Sequence, residues 1–339
     1  MRLFLIRHGE TVDNVAQIYA GSRDSELTNH GFQQATRLGQ HLHVTGVELT
    51  HVFSSHLKRA VKTAELVRDP QIFASAGTKR KRELEVKQVP LLVEQDFGSL
   101  EGVSYVPRPL GSNRTGKSSH RELHIGDPGF VDQESKESMI ARANAFIDEH
   151  FVALLEQSEE MCNVAIVSHG IFLGVLWRTL LGRLPEKSVT YHPELLATHG
   201  NLDLARLGGG SNTGYLELEL CRRSPSQVFP AVPSLVSLVD SPLPIESGSS
   251  STAVGVDVVE TGAPTTDEPP VSLVSSVTET PQPDPAPPKP FATWTTTIHG
   301  VNSKKHLVGL KRTGGGVGSS RHDTKQKSID TFFKRRKAE

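Results

Sequence analysis

The sequence predicts an α/β fold, a three-layer sandwich in which a largely parallel central sheet carries helices on both faces. Over residues 1–222, short apolar runs alternate with segments of helical spacing. One run, NVAIV at residues 163–167, is apolar almost throughout. Strand–helix alternation is typical of parallel sheets, and an apolar strand suits the centre of a sheet that is covered on both sides.

The elements follow each other in a regular order. RLFLIRH (2–8), HVFSS (51–55), NVAIVSH (163–169) and GYLELEL (214–220) are predicted as strands. Helical spacing of apolar residues predicts helices over 30–44, 56–67 and 138–157. About 220 residues are enough to bury one hydrophobic core, so we expect residues 1–222 to form one domain.

The composition changes after residue 223. The chain has 21 prolines, most of them at 225–290, and it has neither Lys nor Arg between Arg223 and Lys289. Such a segment buries too little apolar surface to offset its ordering entropy, so residues 223–303 are predicted as a disordered acidic linker. Residues 304–339 are predicted as a basic tail, again without a core. FATWTTTIHGV (291–301) is more apolar than its surroundings, so a strand-like segment that docks on the domain is an alternative for these residues.

Composition also excludes several classes of protein. Cys162 and Cys221 are isolated, which argues against a disulfide framework or a zinc site and fits a reducing compartment. No run of about 18 apolar residues exists, so no membrane span is expected. The apolar run at the amino end is too short for a signal peptide. We expect an intracellular protein, nuclear or cytoplasmic.

Three strand ends and one loop carry residues suited to phosphoryl transfer. The first strand ends in RHGET, which places Arg7 beside His8, and the strand at 163–169 ends at His169. Arg59 lies in the helix after the second strand, and Glu94 lies in LLVEQDFGSLEG. The carboxyl ends of parallel strands meet at one sheet edge, where α/β folds bind ligands. The arginine guanidinium forms bidentate hydrogen bonds with phosphoryl oxygens, and a neutral imidazole can attack phosphorus.

These blocks, together with ESKESMIARANAF (134–146), resemble the histidine phosphatase superfamily, the phosphoglycerate-mutase-like group, over roughly residues 1–221. The resemblance implies hydrolysis of a phosphorylated substrate through phosphohistidine, without metal or organic cofactor. It implies that His8 is the nucleophile and that Glu94 is the general acid and then the base. Charge on the transferring group would be stabilised by Arg7, Arg59 and His169.

Three further residues are predicted to help bind the substrate. Glu10 and Asn14 are expected to assist phosphate placement, although capping of the following helix is an equal alternative. Gly170 begins a helix after His169, and backbone N–H groups from Gly170 onward are expected to attract the anion, because helix amino ends favour negative charge.

Mutases of this group carry an adjacent Arg pair after the Glu block. The corresponding segment here, 103–133, has Arg108, Arg114, Lys117, His120 and Arg121 but no such pair. This departure favours a phosphatase over a mutase, which remains the alternative. We expect this segment to be a lid over the substrate.

The end of the chain contains a separate motif, QKSIDTFF at 326–333. Helical spacing places Ile329, Phe332 and Phe333 on one side of a single turn, and Gln326 is left for a polar pocket. The motif resembles the PCNA-interacting peptide, and KRRK directly after it would meet an acidic surface. We therefore predict PCNA as a partner.

Two open readings concern the tail and the basic runs. A catalytically idle scaffold that binds PCNA is the second alternative function. KRKR (79–82) and KRRK (334–337) are either import signals or solvated surface. Few aromatic residues accompany them, so specific nucleic-acid binding is not expected.

Overall fold

A computed structural model describes residues 1–73, 83–105, 116–157, 162–223 and 291–323. Its seven strands form one sheet in the order β3-β2-β4-β1-β6-β7-β5. The strands are β1 Arg2–Arg7, β2 His51–Ser54, β3 Val86–Gln88, β4 Asn163–Ser168, β5 Val189–Tyr191, β6 Tyr215–Arg222 and β7 Trp294–Ser303. Strands β3, β2, β4 and β1 are mutually parallel, β6 is antiparallel to β1 and β7, and β5 is parallel to β7. The predicted largely parallel sheet is confirmed.

Helices cover both faces of the sheet. They are α1 Val12–Ala16, α2 Asn29–Val44, α3 Lys58–Phe73, α4 Gly116–His124, α5 Lys136–Phe146, α6 Val152–Gln157, α7 Gly170–Arg183 and α8 Pro193–His199. A π-helical turn, Ile147–Phe151, joins α5 to α6. Within the described ranges, no helix combines the length and the apolarity that a membrane crossing requires.

The two faces of β1 belong to two different cores, because side chains alternate along a strand. Leu3 and Leu5 pack in one cluster with residues of α5 and α7. Phe4 and Ile6 pack in the other cluster with residues of α2 and α3. The predicted three-layer sandwich is therefore correct, and β1 and β4 lie near its centre.

The predicted linker is wrong at its carboxyl end. Residues 294–303 are not a linker but β7, which pairs with β6 on one side and with β5 on the other. Trp294 and Ile298 are buried in the core, and Phe291 packs on Phe151 with ring centroids 6.4 Å apart. The apolar run at 291–301 had left a strand-like docking segment as the alternative, and β7 agrees with that alternative. Composition alone could not decide between the two, because the free edge of β6 exists only in the folded sheet. Residues 224–290 lie outside the described residues.

The prediction of a tail without a core is also wrong for residues 304–323. His306 is buried, and Arg37 of α2 donates a hydrogen bond to the Val308 carbonyl at 3.1 Å. His322 stacks on Phe32 of α2 with ring centroids 3.8 Å apart. Residues 291–323, called here the C-terminal segment, thus belong to the domain. The predicted PCNA motif at 326–333, and both basic runs, lie outside the described residues.

Candidate active site

A cavity of about 940 Å³ opens where β1 and β4 end side by side. Six of the predicted site residues line it: Arg7, His8, Asn14, Arg59, Glu94 and Gly170. His169 is fully buried beside His8, and the two ring centroids are 5.1 Å apart. The fold therefore brings together residues that are up to 163 positions apart in the chain, from Arg7 to Gly170, as the strand ends predicted.

The His8 imidazole is held in one tautomer. Its Nδ1 lies 2.7 Å from the Gly9 carbonyl oxygen, which can only accept, so Nδ1 carries the proton and Nε2 keeps its lone pair. Burial lowers the pKa of His8 well below 6.5, and the charges of Arg59 and Arg7 lower it further. His8 is therefore neutral and nucleophilic at neutral pH.

His169 has the opposite tautomer. The Arg59 Nε donates a hydrogen bond to His169 Nδ1 at 3.2 Å, so the proton resides on Nε2. That Nε2 is buried and has no hydrogen-bond partner among the described residues. Burial, followed by the charge of Arg59, lowers the pKa of His169 well below 6.5. His169 is thus a neutral imidazole whose Nε2–H has no acceptor among the described residues.

Arg59 is 1% exposed and every nitrogen of its guanidinium is engaged. Besides His169, it donates to the carbonyls of Arg23, Ala20 and Gly21 at 2.8 to 3.1 Å. Burial lowers its pKa to about 10, so it stays charged at neutral pH. Arg59 therefore fixes the wall of the cavity while its charge acts on His8 and His169.

The Arg7 guanidinium has one nitrogen that is hydrogen-bonded and one that lacks a partner within the described part of the chain. Its Nη1 donates to the Gly210 carbonyl at 2.8 Å, whereas its Nε is buried and has no partner within the described part of the chain. Burial lowers the pKa of Arg7, and the Glu94 carboxylate opposes that shift. A Cβ on Gly170 would lie 3.4 Å from Arg7 Nε, so the glycine leaves room beside this donor.

Glu94 is anchored at the amino end of α7. It is 8% exposed, and its carboxylate accepts hydrogen bonds from the backbone N–H groups of Gln95, Ile171 and Phe172 at 2.9 to 3.1 Å. The helix end attracts negative charge as predicted, but the charge at Ile171 and Phe172 is the Glu94 carboxylate. The prediction that N–H groups after Gly170 are directed to a phosphate is therefore wrong for these two residues.

Two histidines, two arginines and one carboxylate surround one cavity. A comparison with known protein families shows to which family a chain with these residues belongs. Residues 3–199, more than half of the chain, match the histidine phosphatase superfamily (branch 1). The chain belongs to this superfamily. The resemblance seen in the sequence motifs is confirmed.

Curated relatives of this superfamily are probable phosphatases and phosphoglycerate-mutase-like proteins. A probable phosphatase of Schizosaccharomyces pombe is 34% identical over 186 residues, which are 53% of this chain and 56% of that protein. A probable phosphoglycerate mutase GpmB of Erwinia tasmaniensis is 35% identical over 185 residues, 54% of this chain and 75% of that protein. A broad-specificity phosphatase of Saccharomyces cerevisiae is 29% identical over 170 residues, 50% of this chain and 66% of that protein. The match thus spans little more than half of the fission yeast protein.

Glu10 does not lie where the sequence motifs of this superfamily predicted it. It does not line the cavity. Its carboxylate accepts from the Thr28 hydroxyl at 2.8 Å and forms a two-pronged ion pair with Arg312 of the C-terminal segment. The prediction of phosphate placement by Glu10 is corrected to an anchoring contact, since a carboxylate already paired with arginine has little left to offer a substrate.

Asn14 has the capping role that the sequence left open, and its part in phosphate placement stays a prediction. It lines the cavity, and it completes a capping box with Thr11 at the start of α1. Its Oδ1 also accepts from Asn212 Nδ2 at 3.1 Å. Capping and contact with the cavity are therefore compatible at this position.

Several cavity residues were missed by the sequence analysis. They fall into an aromatic group, a loop and one amide side chain: Tyr19, Phe97 and Tyr105; Gly209, Gly210 and Ser211; and Asn302. The run GGGSNTG (208–214) directly before β6 was an available signal for the loop. Because β6 runs antiparallel to β1, its start lies at the same edge as the end of β1. Asn302 gave no such signal, since it lies within residues 223–303, which were predicted as a linker.

Tyr105 and Lys117 are the residues of the predicted lid that line the cavity within the described ranges. The Lys117 Nζ donates to Gln95 Oε1 at 3.1 Å and lies 4.2 Å from the Phe97 ring centroid. Burial lowers the pKa of Lys117. Arg108 and Arg114 lie outside the described residues. Within the described ranges, no group of three or more His, Cys, Asp or Glu side chains could hold a metal ion.

Proposed function

We propose that this protein hydrolyses phosphomonoesters through a phosphohistidine at His8. The observation that carries the proposal is the fixed tautomer of His8, whose Nδ1–H is given to Gly9 and whose Nε2 is unprotonated. A depressed pKa keeps that lone pair available. A nucleophile prepared in this way is what covalent phosphoryl transfer requires.

Two buried donors beside His8 are suited to the phosphoryl oxygens. His169 Nε2 and Arg7 Nε have no partner among the described residues, and an unpaired buried donor is costly unless a ligand satisfies it. Together with the Arg59 charge, these donors would stabilise the negative charge of the transition state. A bound phosphoryl group would accept hydrogen bonds from both donors, which is a reason for the fold to keep them unpaired in its absence.

The reaction has two balanced steps. In the first, the Glu94 carboxyl group, having taken up a proton from solvent, gives that proton to the leaving oxygen while His8 Nε2 forms a bond to phosphorus and the ester P–O bond breaks. In the second, Glu94 removes a proton from water, the water oxygen bonds to phosphorus, and the P–N bond breaks. Inorganic phosphate leaves and both residues return to their starting states.

The cavity favours hydrolysis over transfer between two positions of one substrate. Its basic lining residues within the described ranges are Arg7, Arg59 and Lys117, so Lys117 is the one cation beyond the phosphoryl site. The lining around Lys117 is aromatic: the Tyr19 ring centroid lies 5.0 Å from that of Phe97 and 5.4 Å from that of Tyr105. Such a lining suits an apolar or planar leaving group more than a second anionic group.

The test is turnover of p-nitrophenyl phosphate at mildly acidic pH by the wild type, by His8→Ala and by the exposed control His43→Ala. We expect His8→Ala to lose turnover and His43→Ala to retain it. Brief incubation with ³²P-labelled substrate should label the wild type with an acid-labile, alkali-stable bond. Equal turnover by His8→Ala and the wild type would contradict the mechanism. Transfer between the hydroxyls of a phosphoglycerate would favour the mutase.

We also propose that the tail motif recruits this enzyme to PCNA, which would place it in the nucleus. Support comes from the sequence QKSIDTFF followed by KRRK. A peptide of residues 321–339 should bind PCNA, and the Phe332→Ala, Phe333→Ala double variant should not. Equal affinity of both peptides would remove the proposal. If the full chain binds PCNA but neither turns over substrate nor labels at His8, the protein is the scaffold of the second alternative.

A further inference from the structure

The C-terminal segment reaches the nucleophile through a relay of hydrogen bonds. His306 is 6% exposed, and its Nε2 lies 2.9 Å from the Thr213 hydroxyl oxygen. The Thr213 hydroxyl gives its own proton to the Asn212 carbonyl at 2.8 Å. Since that proton is used, His306 Nε2–H is the donor in the first contact.

Thr213 passes this restraint to the end of β1. Its backbone N–H is shared between the carbonyls of Arg7 and His8, at 3.0 and 3.2 Å. Its φ is 55°, which is strained for a β-branched residue. A strained residue keeps such a conformation when its surroundings hold it there, and His306 supplies one of the contacts that do so.

Asn212 restrains the same carbonyl from its side chain. Its Nδ2 donates to the His8 carbonyl and to Asn14 Oδ1, both at 3.1 Å. The backbone that carries the nucleophile is therefore held by two consecutive residues of the loop before β6. That loop is in turn held by His306.

Asn302, in β7, restrains the middle of the loop at Ser211. Its Oδ1 accepts from the Ser211 N–H at 2.9 Å, and the neighbouring Gly210 carbonyl accepts from Arg7 Nη1 at 2.8 Å. Asn302 has a φ of 45°, and a Cβ on Gly214 would lie 2.1 Å from its Oδ1. The amide therefore occupies a space that the chain keeps open for it.

We propose that His306 and Asn302 are positioning residues that set the places of His8 and Arg7 through loop 208–214. The C-terminal segment is then part of the catalytic unit, although residues 224–290 separate it from β6 in the chain. This inference rests on the proposed hydrolysis at His8. A purely structural role for both residues predicts a lower melting temperature and an unchanged turnover number for the folded protein.

The test compares His306→Ala with His306→Gln in the full chain, using p-nitrophenyl phosphate. Gln can reach Thr213 with a donating amide, whereas Ala cannot. We expect His306→Ala to lower kcat about 10- to 100-fold, because small displacements of a reacting group are costly, and to change KM less than about twofold. Affinity for vanadate, which mimics the transition state, should fall in parallel with kcat. His306→Gln should recover most of both losses.

Matched variants keep the test decisive. His299→Ala removes another histidine of the C-terminal segment, one that contacts Glu219 away from the loop, and should leave kcat unchanged. Asn302→Gly deletes the amide while tolerating the positive φ, and should lower kcat even if His306→Ala does not fold. Folded His306→Ala and Asn302→Gly proteins with wild-type kcat would overturn the proposal. So would a folded His306→Gln no more active than His306→Ala.

A second readout separates failure of this inference from failure of the proposed function. The ¹⁵N shifts of the His8 imidazole, assigned with His8→Ala, report its tautomer without turnover. If the wild type hydrolyses nothing, the proposed function fails. The relay still predicts that His306→Ala shifts the His8 resonances and that His299→Ala does not, and unchanged resonances would then overturn it.

Discussion

Arg59 Nε lies 3.2 Å from His169 Nδ1, and this one contact determines which side of the second histidine can act as a donor. Because Nδ1 accepts, the proton is on Nε2, which is buried and has no partner among the described residues. The carbonyls of Arg23, Ala20 and Gly21 hold the rest of the guanidinium. Arg59 therefore orients His169 as well as contributing charge.

Replacement of Arg59 by Lys tests this orientation. Lysine keeps the positive charge but lacks the planar fork that reaches one imidazole and three carbonyls together. We expect Arg59→Lys to lower kcat/KM by about 10²-fold, a size typical of a lost oriented donor. Lys58→Arg, at an exposed neighbouring position, is the matched control. A folded Arg59→Lys enzyme with wild-type kcat/KM would contradict the role.

The acid limit of activity should lie below the ordinary histidine pKa. Burial and the charges of Arg59 and Arg7 lower the pKa of His8, so the neutral, reactive form persists as the pH falls below 6.5. We expect kcat/KM, corrected for ionisation of the substrate phosphate, to hold its plateau below pH 6.5. Half-maximal activity at or above pH 6.5 on the acid side would show that His8 is not perturbed.

His306 should make stability depend on pH. Burial, then His41 and Arg37, lowers its pKa to about 4, whereas the unfolded chain has 6.5. Between pH 6.5 and 4 the unfolded state binds the proton and the folded state does not, so this contribution is complete above pH 6.5 and is lost as the pH falls. The slope is at most about 1.4 kcal/mol for each pH unit.

Urea unfolding of the wild type and of His306→Gln at pH 4 to 7 measures this contribution. The wild-type free energy of unfolding should fall more steeply over that range than that of the variant. Parallel curves would mean that His306 titrates alike in both states.

Glu94→Gln should separate substrates by their leaving groups. Gln cannot donate the proton that a poor leaving group needs, whereas nitrophenolate departs without it. We expect kcat to fall about 10²–10³-fold for an alkyl phosphate and much less for p-nitrophenyl phosphate. The exposed Glu194→Gln should leave both values unchanged. An equal loss on both substrates would assign Glu94 to dephosphorylation or to structure.

The ion pair of Arg312 with Glu10 should contribute to stability and not to chemistry. Arg312 is partly exposed, so screening limits the effect of Arg312→Ala to about 1 kcal/mol in the free energy of unfolding. Arg206→Ala removes a more exposed pair and should cost less. A change in kcat larger than the change caused by Arg206→Ala would point to a role at the cavity.

The central part of the site was predictable because strand ends are visible in a sequence. Arg7, His8 and His169 each follow a recognisable apolar run, and parallel strands bring their carboxyl ends to one edge. The tautomers were not predictable, since they depend on the Gly9 carbonyl and on Arg59, which meet the imidazoles in three dimensions. Glu10 was misassigned for the same reason, because its partner Arg312 is 302 residues away.

By itself the sequence determined the α/β sandwich, the superfamily and the group of polar residues that meet at the cavity, because periodicity and strand-end chemistry are local properties of the chain. Tertiary structure alone decided that the C-terminal segment joins the domain and that Asn302 and His306 hold the loop beside His8. Whether a segment becomes a strand depends on an open sheet edge elsewhere, and composition within the segment does not record that edge.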